Sequence, residues 1–107
     1  MPIGLPVFKT PTSGATAATT TKITNLSMPS ANTEYSHSFT NNLKQFIIRS
    51  RKSAVVKIAF TNGESGTKYV TLPRGTNLCL EGLDFSSTTL YVQSDEATNT
   101  LEIIELY

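Results

Sequence analysis

Residues 54–72, AVVKIAFTNGESGTKYVTL, decide the fold. Val56, Ile58 and Phe60 alternate with Val55, Lys57 and Ala59, the period of two that belongs to a strand with one buried face. The run 61–66, TNGESG, breaks the alternation and supplies Asn62, Gly63 and Gly66, residue types that tolerate a turn with positive φ. Lys68, Val70 and Leu72 then alternate with Tyr69 and Thr71, and Pro73 stops the run. Two strands and a glycine-rich turn make a hairpin. A hairpin alone is marginal in water, so other strands must cover its apolar face.

Downstream, the turn Arg74-Gly75-Thr76 leads to a short strand in which Leu78 and Leu80 flank Cys79, a setting that predicts a buried, unreactive thiol. Residues 81–84 turn again, with Phe85 as a plug. TTLYVQS (88–94) sets Leu90 and Val92 against Thr89, Tyr91 and Gln93, Asp95 and Glu96 open a solvated loop, and LEIIELY (101–107) is the last strand. Upstream, TEYSHSFT (33–40) places Tyr35, His37 and Phe39 on one face and Glu34, Ser36 and Ser38 on the other. Asn41-Asn42 is a turn signal. Residues 43–50, LKQFIIRS, read as the next strand; a helix over 42–51 competes, and the run Phe46-Ile47-Ile48 favours strand.

The pattern is seven or eight short strands with a turn every 8 to 12 residues. This predicts an all-β domain, a small antiparallel sandwich that is jelly-roll-like or immunoglobulin-like, over residues 34–107.

Residues 1–33 differ in kind. All 8 acidic residues of the chain lie at or after Glu34, and the first 33 positions carry only Lys9 and Lys22 as charges. MPIGLPVF (1–8) is apolar, and its two prolines favour an extended path. Residues 9–22 are mostly Thr, Ala and Ser, too small and polar to build a core. Composition alone reads as a solvated tail. The apolar tip argues instead for an arm that docks on a neighbouring subunit through Ile3, Leu5, Val7 and Phe8. Residues 23–26 form a short strand at most, and residues 27–30 a turn. The expected domain limits are therefore an extended arm over 1–33 and a sandwich over 34–107.

Composition narrows the function classes. A net charge of +1 over 107 residues gives no global pull towards nucleic acid or an anionic membrane. With 1 Cys no internal disulfide is available, and with 1 His there is no ligand set of recognisable metal spacing. No apolar run approaches a membrane span and no secretory leader is evident, so the expected location is the cytosol or a particle assembled there. No nucleophile motif accompanies His37, which reads as a structural histidine. Arg49, Arg51, Lys52 and Lys57 form the basic cluster; it reads as a solvated or salt-bridged face before it reads as a phosphate-binding patch. Tyr35, Tyr69 and Tyr91 are candidate stacking platforms for sugars or bases.

The block from residue 43 to 107 resembles small virion proteins of tailed bacteriophages. The likeness rests on AVVKIAF (54–60), SGTKYVTLPRG (65–75), GLDFSSTTLYVQS (82–94) and LEIIELY (101–107). It implies a β-sandwich that decorates or cements the head, or serves as a tail or fibre accessory, often with an arm reaching over adjacent subunits. It further implies no enzymatic activity and no cofactor, a virion location after synthesis in the host cytoplasm, and the major capsid protein or other virion subunits as partners, including further copies of itself.

Overall fold

A computed structural model of the chain describes residues 18–81 and 87–107. The anchor residues Ile3, Leu5, Val7 and Phe8 and the plug Phe85 lie outside the described residues.

The described residues form eight strands: β1 (Thr21–Met28), β2 (Tyr35–Ser38), β3 (Gln45–Ser50), β4 (Val56–Ala59), β5 (Val70–Leu72), β6 (Asn77–Glu81), β7 (Thr89–Ser94) and β8 (Asn99–Leu106). They make two four-stranded sheets, a first of order β1-β8-β3-β6 and a second of order β2-β7-β4-β5. All pairings are antiparallel.

The hairpin of residues 54–72 is the centre of this arrangement. β4 pairs with β5, with Val56 opposite Leu72 and Ile58 opposite Val70. Around it β3 pairs with β6, β2 with β7 and β1 with β8, and successive pairs fall in alternate sheets. The chain is thus one long antiparallel ribbon bent at the β4–β5 turn and rolled into a sandwich, which is the eight-stranded jelly roll. An immunoglobulin-like sandwich would hold β1 and β2 in one sheet; here they lie in different sheets.

Between the sheets lie Met28, Phe39, Leu43, Phe46, Ile48, Val56, Ile58, Leu72, Leu90, Val92, Leu101 and Ile103, with Leu26, Tyr35, Leu78 and Leu80 packed at the margin. Phe46 is fully buried, stacked on Phe39 at 4.7 Å between centroids and edge-on to Phe60 at 6.4 Å. The alternations read in the sequence at β2, β3, β4 and β7 hold. Val70 and Phe60 continue the inward side of the hairpin, yet both are exposed: β5 is an edge strand, and Phe60 lies beyond the end of the β4–β5 ladder.

The domain boundary at residue 34 is corrected. β1 pairs with β8 along its whole length, from Thr21 opposite Leu106 to Met28 opposite Asn99, and Met28 is fully buried. The sandwich begins at Thr21. Its inward positions Lys22, Thr24, Leu26 and Met28 carry apolar side chains only at their C-terminal half, so the alternation is faint in the sequence, while β-branched Thr and Ile suit a strand. The turn expected over 27–30 falls later, around Asn32, which adopts φ 54°.

The other turns follow residue chemistry. Asn42 (φ 65°), Gly63 (φ 83°) and Gly75 (φ 72°) occupy the left-handed region, which Gly and Asn enter at little cost. Thr98 does so at φ 53° although β-branched, held by its N–H donating to Pro29 O at 2.9 Å. This is a strained position.

Candidate functional site

β8 shows how the acid–base groups are placed. Its buried positions alternate: Asn99, Leu101, Ile103 and Glu105 point inward. Glu105 thus continues the core face, and its side chain is 0 % exposed. A lone carboxylate there would be costly. It is matched from the other sheet: His37 of β2 reaches it through Nε2, and Thr40 N–H donates to Oε2 at 3.1 Å. Burial pushes the Glu105 carboxyl up, but hydrogen bonds from the Thr40 side chain and His37, with the Thr40 backbone and the imidazole charge, outweigh it and hold the group below the ordinary carboxylate range. His37 also lies edge-on to Phe39 at 5.6 Å. The pair spans the two sheets.

The signal for Glu105 was present in LEIIELY, where positions 101, 103 and 105 share one face, but its need for a partner was not matched there to the inward His37.

A second tie closes the opposite end. Asn99 Nδ2 donates to Ser50 Oγ at 2.8 Å and to Ser94 Oγ at 3.0 Å, while Asn99 Oδ1 accepts from Lys52 N–H at 3.1 Å. β3 and β8 of the first sheet are thereby fastened to β7 of the second. Asp95 is exposed in its loop, as expected, and is also tied down: Oδ1 accepts from Val55 N–H at 2.9 Å and Oδ2 from Arg74 at 3.0 Å.

Glu34 serves the hairpin turn. Its carboxylate accepts from Ser65 Oγ at 2.5 Å, Ser65 N–H at 3.0 Å and Gly63 N–H at 2.8 Å. The Ser65 hydroxyl is the largest cause, and together with the Gly63 and Ser65 N–H groups it outweighs the opposing effect of burial and holds the carboxyl below the ordinary carboxylate range.

The remaining candidates divide. Arg49 and Arg51 both meet one carboxylate, Glu102, at 3.1 and 3.0 Å, and Lys52 Nζ donates to Ala97 O at 2.8 Å. Lys57 belongs to the other sheet and lies over the Tyr69 ring, 4.7 Å from its centroid. The basic cluster of the sequence is therefore not one patch. Tyr69 is exposed on the β5 edge beside Val70, Tyr91 sits half-buried on the outward side of β7, and the Tyr35 hydroxyl accepts from Ser30 N–H at 3.0 Å.

Cys79 corrects an expectation. It is exposed, because Leu78 and Leu80 take the inward positions of β6 and the thiol between them faces out. Gln45 Nε2 lies 3.2 Å from its sulfur. Among the described residues no group of three or more His, Cys, Asp or Glu is placed to hold a metal ion, and every buried polar side-chain atom has a hydrogen-bond partner.

No known protein family, no curated protein and no solved structure matches this chain.

Proposed function

We propose that this chain is a non-enzymatic structural protein of a virion, a capsid decoration or cement protein of a tailed bacteriophage. The observation that carries the reading is the use made of its ionisable groups. His37 and Glu105, the pair best suited to proton transfer, fasten one sheet to the other inside the sandwich, and Glu34, Asp95 and Glu102 hold turns and arginines in place. What such a block offers a partner is surface. Jelly rolls recur among viral capsid and lectin domains; that is an analogy of fold, which by itself assigns no function.

The charge-poor segment before β1, with Ile3, Leu5, Val7 and Phe8, supplies the anchors, and the partner is the major capsid protein or another virion subunit. Many weak contacts repeated over a shared lattice sum to firm attachment. Arg49 and Arg51 share Glu102, so one carboxylate offsets part of the positive charge this face could offer to nucleic acid.

The test is co-sedimentation with particles assembled from the capsid protein encoded alongside it. The full chain should saturate the particles. A chain lacking residues 2–10 should stay folded and fail to bind. Full occupancy by the truncated chain overturns the arm, and failure of the intact chain to bind overturns decoration.

A tail or fibre accessory, or a module for host-surface glycans, is the second reading. It is favoured by Phe60, Tyr69 and Val70, each exposed on the hairpin. Lys57 over the Tyr69 ring already occupies one stacking face. A glycan array without a hit removes the glycan module.

A further inference from the structure

The outward side of the first sheet carries one apolar row where a sandwich is ordinarily polar, beside the polar row of Asn25, Glu102, Arg49 and Asn77. Register aligns Ile23 with Ile104, Ile104 with Ile47, and Ile47 with Cys79, a row crossing all 4 strands. Leu106 lies beside the row, between Thr21 and Gln45. On the second sheet's outward side Thr71, Lys57 and Gln93 form one row, and Ala59, Tyr91 and Ser36 the next. Ile47 is 4 % exposed and Leu106 8 %, yet neither belongs to the cluster between the sheets, while Ile23 at the edge is 69 % exposed. All eight described strands belong to the two sheets, so among the described residues no strand or helix lies over this side.

The chain before β1 arrives at this corner. Thr19 and Thr20 N–H both donate to Tyr107 O, at 2.9 and 2.7 Å, and Thr21 pairs with Leu106. The 8 residues of MPIGLPVF contain no charged side chain. The tether over 9–20 spans up to about 40 Å when extended, against about 15 Å across four strands.

We propose that residues 3–8 fold back onto the outward side of the first sheet of their own chain, with Leu5, Val7 and Phe8 over the row of Ile23, Ile104 and Ile47 and beside Leu106. The short tether holds the tip near its own sheet at an effective concentration of order mM, which favours the same chain over a second copy in dilute solution. The proposal goes beyond the decoration reading and does not depend on it, because it concerns the free protein. If both hold, attachment to a particle is an exchange of the tip from its own sheet to a neighbour's surface.

The experiment uses the full chain with isotope-labelled methyl groups and a nitroxide on Cys79, at the end of the row. A second label at Thr100→Cys in a Cys79→Ser background probes the same side, and one at Thr71→Cys in that background probes the second sheet. The expected result is broadening of the Ile3, Leu5 and Val7 methyl signals from both first-sheet labels, much weaker from Thr71→Cys, unchanged on dilution and reduced by Ile23→Lys. Equal broadening from all three positions, or none, overturns the proposal. Broadening that arises only between nitroxide-bearing and isotope-labelled copies in a mixture assigns the tip to a second copy and overturns it as well.

Discussion

His37 and Glu105, 68 residues apart in the chain, meet between the two sheets with the carboxylate fully buried. The contact joins β2 to β8, which belong to different sheets and share no ladder. Removing one partner strands the other. His37→Ala or Glu105→Ala should each cost about 3 kcal/mol, since a buried charge loses its complement. Replacing both by apolar side chains, His37→Phe with Glu105→Leu, should come within about 1 kcal/mol of the parent, because the desolvation cost disappears with the charges. Denaturant melts of the four proteins measure the cycle. A double variant as unstable as the sum of the singles would sink this account of the pair.

The same carboxylate sets an acid limit. Its folded-state pKa lies below the ordinary value of 4.5, so between the two values the unfolded chain binds more protons than the folded one. Stability then rises with pH in that window. The contribution is complete above about pH 5 and is lost as pH falls through the folded value. Glu34 is shifted in the same direction. Thermal midpoints between pH 6 and pH 3 should fall less steeply in Glu105→Gln than in the parent, and least in the Glu34→Gln, Glu105→Gln double variant.

The hairpin turn should depend on Glu34. Its carboxylate gathers Gly63 N–H, Ser65 N–H and Ser65 Oγ. Glu34→Ala should cost about 1 kcal/mol, a modest figure because the site is partly solvated. Gly63→Ala should cost a similar amount for a different reason: nothing lies within 4 Å of the added Cβ, but φ is +83°. Hydrogen exchange at Gly63 and Ser65 should accelerate in Glu34→Ala with the amides of β8 unchanged.

Asn99 should tolerate no isosteric replacement. Asn99→Asp keeps the acceptor for Lys52 N–H but loses both donations, to Ser50 and Ser94, and brings a charge into a site that is 2 % exposed. Asn99→Leu leaves those hydroxyls and the Lys52 N–H short of partners. Each should lower stability by about 2 kcal/mol, read as an earlier chemical-denaturation midpoint. An unchanged midpoint in Asn99→Asp would mean that the two serine hydroxyls do not need the amide.

Strands were legible wherever alternation was strong. Leu90 and Val92 against Tyr91 and Gln93, or Phe46 and Ile48 against Ile47 and Arg49, sort by polarity or by β-propensity within a few residues. β1 was half legible: Leu26 and Met28 are inward, but Lys22 and Thr24 precede them on the same side, so the strand merged into the threonine-rich run before it. Cys79 misled because thiol and leucine are both apolar, and polarity cannot assign a face when all three neighbours are alike. Glu105 was overlooked for the opposite reason, as a polar residue on an apolar face, where only a partner 68 residues away makes the placement stable.

The amino-acid order by itself determined the turns and the period of two, since both arise from φ preferences and from side chains a few positions apart. It determined in that way that the described residues are strands and turns and that the ribbon bends at residues 61–66. Tertiary structure alone decided that β1 closes on β8, that the ribbon rolls so that β1 and β2 part into different sheets, and that a histidine and a carboxylate face each other across the interior. Those outcomes depend on which apolar faces cover one another at long range, and pairing between distant strands is selected by the burial of the whole core rather than by any local stretch.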